Sequence, residues 1–284
     1  MVDRRDSRGA LLPDSVDSSV VTFVVAGCQR CGTTWLDAAL REHPEVFLPA
    51  QKQTYFFDRE HARGAAWYLE NYRGVEPGRR AVGEVATGYT LLDAIPRLAS
   101  LLPHVKVIMA MRHPTERASS FYESRRGERA WKSFAQARAD DPEILERGRY
   151  IEQIEALLAH YPRERLLLLF FEDLAADERG YYRRVLEFLG VDPSFETTRF
   201  GRKVNAAMFS GLRQRFKSVG LETAVNLLAR SPAGDLVRTL NRRMAIGAGH
   251  KLGHAERAEL VEYYRPFNAR LSELTGRDLS AWDR

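Results

Sequence analysis

Residues 21–36 read VTFVVAGCQRCGTTWL, an apolar, β-branched run that enters a helix through Gly27-x-x-x-x-Gly32-Thr33-Thr34. That order constrains the fold more than any other feature of the chain. The first seven residues suit a buried strand, and Trp35, Leu36, Ala39 and Leu40 share one face of the helix that follows, before Pro44 stops it. A Gly-bounded turn between strand and helix can hold phosphate on backbone N–H groups and on the positive end of the helix. The same stretch also spells Cys28-x-x-Cys31, the spacing of a thiol oxidoreductase. Both readings demand a strand, a tight loop and a helix; they differ in what the loop does.

The pattern continues down the chain. AVGEVAT (81–87), HVKVIMAMRHP ending at Pro114, and RLLLLFFEDL read as further strands, the last too apolar to have a wet face. Between them, TERASSFYESRR reads as a helix, and GRYIEQIEALLAHYP as another with Tyr150, Ile151, Ile154, Leu157 and Leu158 inward. ADERGYYRRVLEFLGVDP is a helix closed by Gly190. Strand and helix in alternation predict an α/β protein with a P-loop-like three-layer core: a mostly parallel sheet of about five strands, helices on both faces, and a helical C-terminal segment. Residues 1–18 read as a mobile tail and 19–284 as one domain, with 201–253, including the Gly-rich AIGAGHKLG, as a covering segment.

Composition narrows the function. With 44% apolar residues in 284 the chain can bury a sizeable core, and 43 Lys and Arg against 38 Asp and Glu leave a net charge of +5 with no polybasic block. Nucleic acid is therefore not the expected partner, whereas a basic cleft for a small anion is. Two cysteines three apart cannot staple the fold, no 18-residue apolar run spells a membrane span, and no signal peptide is legible, so a cytoplasmic protein is expected.

The loop departs from the nucleotidase pattern in one respect that matters. Thr33 stands where a P-loop places Lys, and the cation is Arg30 inside the loop. Arg112, not an Asp, follows the strand ending at Met111. Both changes disfavour a magnesium-bound triphosphate and leave room for a less charged group held by amides, hydroxyls and one guanidinium.

Gln29-Arg30-Cys31-Gly32-Thr33-Thr34-Trp35-Leu36 resembles the 5′-phosphosulfate loop of the sulfotransferases that use 3′-phosphoadenosine-5′-phosphosulfate (PAPS), roughly Pro-Lys/Arg-Ser-Gly-Thr-Thr-Trp-Leu, with Gln29 and Cys31 as departures. Arg112-His113-Pro114-Thr115-Glu116-Arg117-Ala118-Ser119-Ser120-Phe121-Tyr122 resembles the 3′-phosphate motif of that family, Arg-x-Pro-x-x-Arg-x-x-Ser-x-Tyr. Gly83-Glu84-Val85-Ala86-Thr87-Gly88-Tyr89 and Lys52-Gln53-Thr54-Tyr55-Phe56-Phe57-Asp58 look like segments of its heparan-type and bacterial branch. The resemblance implies metal-independent transfer of a sulfuryl group from PAPS to a hydroxyl or amine of a small molecule or carbohydrate, leaving 3′-phosphoadenosine-5′-phosphate (PAP). It implies Arg30, Cys31, Gly32, Thr33 and Thr34 on the phosphosulfate, and Trp35 on the adenine. It puts Arg112 and Ser120 on the 3′-phosphate, with Arg202 and Lys203 in a closing loop. Glu84 is then the general base, and Lys52 with Arg30 neutralises charge at the transferring group. A carboxylate in an apolar strand fits that role, because desolvation raises its pKa toward a useful range. His43 and His113 are lesser candidate bases, and Tyr89, Tyr122 and Tyr150 read as packing. An ATP-dependent small-molecule kinase and an adenosine-nucleotide-binding module without chemistry remain as alternatives.

Overall fold

The computed structural model describes residues 17–201 and 252–284. All but Asp17 and Ser18 of the expected tail, Arg202 and Lys203 with their loop, and the Gly-rich link up to residue 251 lie outside the described residues. The strands are β1 (Phe23–Gly27), β2 (Val46–Phe47), β3 (Ala81–Val85), β4 (Lys106–Met111) and β5 (Leu166–Phe170). They form one all-parallel sheet in the order β2-β3-β1-β4-β5. In chain order the helices are α1 (Thr33–Leu40), α2 (Ala65–Leu69), α3 (Ala94–Leu101), α4 (Pro114–Arg129), α5 (Phe134–Asp140), α6 (Glu143–Glu146), α7 (Tyr150–Leu158), α8 (Phe171–Ala176), α9 (Glu178–Leu189) and α10 (His254–Thr275).

This is the α/β architecture the alternation predicts. The four strands recognised in the sequence are present, and the fifth is β2, two residues between Pro44 and Pro49, too short to carry a periodic signal. β5 departs from expectation: Leu167 and Leu168 are only partly buried, because β5 is an edge strand with one neighbour. The interior strands β1 and β3 are buried throughout. Their approach is set at Gly83, opposite Phe23, where a Cβ would lie 2.0 Å from the Phe23 carbonyl oxygen.

The chain divides into two compact units. One runs to Arg112 and resumes at Arg149 through Gly201; it holds the sheet with α1–α3 and α7–α9. Its helices are tied at their ends. The Tyr182 hydroxyl donates to the Ala39 carbonyl (3.0 Å), joining α9 to α1, and the Tyr161 hydroxyl donates to that of Leu102 (3.0 Å), joining the ends of α7 and α3. On α7, Tyr150, Ile151, Ile154 and Leu157 are buried as predicted, whereas Gln153 takes an inward place and Leu158 is half-exposed.

The other unit comprises His113–Gly148 and, among the described residues, Leu252 onward, and so holds α4–α6 and α10. Phe121, Tyr122, Trp131, Phe134, Leu260 and Tyr264 form its core, each such burial worth about 1.5 to 3 kcal/mol. Arg117 is fully buried and donates to the Ile144 carbonyl, and Tyr264 donates to that of Leu145 (2.9 Å). Among the described residues no helix is long and apolar enough to cross a membrane.

Candidate functional site

β1 lies where strand order reverses, with β3 on one side and β4 on the other, and loops leaving the carboxyl ends at such a point form a natural crevice. The loop after β1 is fastened by the Cys28 N–H to the Ala110 carbonyl (2.7 Å). It turns with positive φ at Arg30 (71°) and at Gly32 (88°). Gly32 is the N-cap of α1, and no side chain caps that end, so the first amides and the helix dipole face the loop's concavity. Glycine is required at this position on two grounds. Its φ is left-handed, and a Cβ would come within 3.0 Å of the Phe171 ring and 3.1 Å of Leu174.

Lys52 reaches this end of α1. Its Nζ donates to Thr34 Oγ1 at 2.9 Å, so two residues eighteen positions apart, both singled out in the sequence, meet in the structure. Burial pulls the Lys52 pKa below its ordinary value, against the raising effect of Asp37, while Arg41 pulls the same way as burial. Arg112 follows the adjacent strand β4. Its guanidinium stands over the Phe171 ring, 5.0 Å from the centroid. Ser120 lies on α4 in the other unit.

Glu84 is 1% exposed on the interior strand β3. Its Oε2 accepts the Thr54 N–H (3.0 Å), and its Oε1 accepts the hydroxyls of Tyr89 (3.0 Å) and Thr54 (3.2 Å). Tyr68 adds a further hydroxyl donor and is itself paired with the Tyr72 hydroxyl (2.9 Å). Desolvation raises the Glu84 pKa, and these hydrogen bonds oppose it. The Phe56 N–H also points to the Tyr89 hydroxyl (3.0 Å). The carboxylate thus ties the segment that carries Lys52 to the sheet.

Other sequence candidates fall elsewhere. Trp35 is 5% exposed, packed edge-on to Tyr181 and Tyr182 and tilted against Phe200, with its indole N–H unpaired. His43 is buried between the Asp192 carbonyl (3.0 Å) and the Glu45 N–H (3.1 Å), a structural placement. His113 lies near the Trp282 ring. Cys28 and Cys31 are buried and not joined in a disulfide. Cys28 Sγ lies near Gln153 Oε1 (3.6 Å) and Cys31 Sγ near the Tyr150 hydroxyl (3.7 Å), so each thiol has a separate partner.

Residues the sequence reading missed are Thr54, Tyr68 and Tyr72, and it took Tyr89 for packing. A hydroxyl-bearing residue beside a strand glutamate is no signal by itself. The only clue was that Glu84 stands in an otherwise apolar strand and needs donors.

The sequence matches the family described as a sulfotransferase domain over residues 22–215. It is 25% identical over 284 aligned residues to heparan sulfate glucosamine 3-O-sulfotransferase 3A1 of Mus musculus, covering 96% of this chain and 67% of that one. The human heparan sulfate glucosamine 3-O-sulfotransferase 6 is 25% identical over 265 residues, 90% of this chain and 72% of its own length. The chain thus spans about two thirds of the length of such relatives, 64% at the lower end. A crystal structure of a sulfotransferase from Alicyclobacillus acidocaldarius shares the fold, with a TM-score of 0.69 at 23% identity over 93% of this chain and 99% of that one. The family match covers more than half of the chain and takes in the loop after β1, Lys52, Glu84, Arg112 and Ser120; the chain belongs to the PAPS-dependent sulfotransferase family.

Proposed function

We propose that the protein moves a sulfuryl group from PAPS to a hydroxyl or amine of a carbohydrate or small-molecule acceptor, and that the loop after β1 holds the 5′-phosphosulfate. The observation that carries this reading is the end of α1: no side chain caps it, Gly32 makes the left-handed turn into it while packed on Phe171 and Leu174, and Lys52 is fastened to Thr34 beside it. An anionic group suits that cradle, because unsatisfied amides, a helix dipole and a cation all converge there. PAPS supplies the sulfuryl group when bound. The backbone of Cys31, Gly32, Thr33 and Thr34 binds its phosphosulfate, Arg30 and Lys52 stabilise charge developing on the transferring group, and Arg112 with Ser120 holds the 3′-phosphate. Arg202 and Lys203 are assigned to closing over the nucleotide, whereas Trp35, enclosed by Tyr181, Tyr182 and Phe200, is assigned to packing in place of the adenine. No metal is needed in this scheme, and a cytoplasmic, bacterial-style enzyme is part of the same proposal.

Glu84 takes the acceptor's proton. Its burial sets a condition on this role: the proton must arrive through a neighbouring hydroxyl, and that of Thr54, 3.2 Å away and in contact with the Tyr89 hydroxyl (2.8 Å), belongs to the least buried residue of the cluster, 4% exposed. A second reading is favoured by the number of donors on the carboxylate. In it Glu84 is an anchor that sets the position of Lys52 and takes no proton.

Turnover tests the proposal. PAP formation from PAPS, followed with a panel of sugar, alcohol and amine acceptors, is expected with at least one acceptor class. Stable PAPS with every class would reduce the protein to a nucleotide-binding module.

The relatives named for heparan sulfate direct the panel first to acidic oligosaccharides. Small alcohols and amines follow.

A further inference from the structure

Two residues that no motif singles out each touch both the loop after β1 and Arg112. Tyr150, the first residue of α7, is 1% exposed, and its hydroxyl donates to the Arg112 backbone oxygen at 2.9 Å while lying 3.7 Å from Cys31 Sγ. Phe171, the first residue of α8, presents its ring to the Arg112 guanidinium, 5.0 Å from the centroid. The edge of the same ring lies 3.0 Å from the Cβ position of Gly32. One hydroxyl and one ring therefore fix the end of β4 against the cradle, from opposite ends of the segment that contains α7 and β5.

We infer that Tyr150 and Phe171 are positioning residues that hold Arg112 at a set distance from the loop, and so determine whether the enzyme selects a 3′-phosphorylated nucleotide. The two contacts act on different parts of Arg112. The Tyr150 bond fixes its backbone, which aims the side chain as it leaves the strand. The Phe171 face holds the guanidinium plane, and a ring face does so without occupying the in-plane N–H donors that grip an oxyanion. The same two residues touch the cradle, Phe171 at Gly32 and Tyr150 at Cys31, and so reference Arg112 to it, while the cradle's own turn is set by the Cys28 N–H bond to Ala110 and the positive φ of Arg30 and Gly32. Selection of a nucleotide bearing two separate anions requires their receptors to be held at one spacing, and a shift of about 1 Å is enough to lose much of such a preference. The inference rests on Arg112 holding the 3′-phosphate, as proposed above.

The test compares binding of PAP and of adenosine 5′-phosphate, which lacks the 3′-phosphate, by titration calorimetry on the full chain. Variants are Y150F, F171L, R112A and the double variant R112A/F171L. F171L is expected to weaken PAP about fivefold, the scale of a partly desolvated cation–π contact, while adenosine 5′-phosphate changes less than about twofold. Y150F, which keeps the ring and removes one hydrogen bond, is expected to act in the same direction, about threefold on PAP alone. In the R112A background F171L should add nothing, because the residue acts through Arg112. Circular dichroism of each variant at the titration temperature confirms that folded protein is being compared.

Equal losses on both nucleotides, no loss on either, or full additivity in the double variant would overturn the inference while leaving the role of Arg112 intact. If R112A itself leaves the preference for PAP unchanged, the assignment of Arg112 fails first and the inference falls with it.

Discussion

Replacing Glu84 by Gln separates the two roles open to this carboxylate, because the volume is kept and only the charge and one acceptor are lost. The wild-type side chain accepts from Thr54 N–H, the Thr54 and Tyr89 hydroxyls, and Tyr68. An amide offers one oxygen in place of two and turns its NH2 toward groups that are themselves donors. The hydroxyls can rotate to accept, but the Thr54 N–H cannot, so the oxygen must stay on that side. One or two charge-assisted bonds are lost, at about 1.5 to 3 kcal/mol each, offset by relief of the cost of burying a charge. We expect a net loss of about 1 to 3 kcal/mol and a thermal midpoint lower by a few degrees. If Glu84 is the base, kcat falls by about 100-fold or more while PAP binding holds within a few-fold.

The pH dependence gives a second handle on the same variant. Burial raises the folded-state pKa above its ordinary 4.5, so the native state holds its proton where the unfolded chain has lost it. The favourable contribution is complete below the unfolded value and is lost as pH rises through the folded one. Wild-type stability should therefore fall relative to E84Q across that window. Activity moves oppositely: a base must be ionised, so kcat/KM should climb with pH along a limb above the usual carboxylate range. Urea denaturation and initial rates between pH 4 and 8 measure both. An E84Q enzyme with near-normal kcat and a merely lowered midpoint would refute the base and establish the anchor.

Further outcomes follow from other contacts. Lys52→Met should lower kcat about 100-fold with a smaller effect on PAP affinity, and wild-type activity should fall as pH rises through a lysine pKa lying below its ordinary 10.5; equal losses in kcat and PAP affinity would show uniform binding instead. Gly32→Ala places a Cβ on Phe171 and Leu174 at left-handed φ, so it should cost about 1 to 3 kcal/mol in urea titrations and weaken PAP; an unaffected protein would mean that the cradle is not used. Glu42 accepts from Thr197, Thr198 and Arg199, and these hold its pKa at about 2 against the opposing effect of burial. Its contribution, about 1 kcal/mol once solvent screening is allowed for, is present above pH 4.5 and is lost as pH falls toward 2. Glu42→Gln should therefore flatten the acid limb of the stability profile, and an unchanged limb would exclude this cluster as its source.

The legible parts of this protein are local ones. β1, its loop and α1 could be read because a β-branched run, two glycines at fixed spacing and a one-faced apolar helix lie within twenty residues. Arg112 was legible for the same reason, standing between an apolar strand and a proline that begins α4. β2 was not, since two residues between prolines carry no period. Contacts across long separations were hidden as well. Thr54 reaches Glu84 across thirty positions and Tyr150 reaches Arg112 across thirty-eight, and nothing in either tyrosine's or threonine's neighbourhood distinguishes a hydrogen-bonding role from packing. Trp35 shows the opposite case, a motif residue whose ring is packed among Tyr181, Tyr182 and Phe200. Position in a motif located it, and only the structure showed what it touches.

The cradle and Arg112 are proposed to select, together, a 3′-phosphorylated adenosine nucleotide. Calorimetric titration of the full chain with PAP and with ATP, each with and without magnesium, tests it most directly. PAP should bind at least about tenfold more tightly than ATP, with no effect of the metal. ATP binding that equals or exceeds that of PAP and requires magnesium would contradict it and make the protein a kinase-like enzyme.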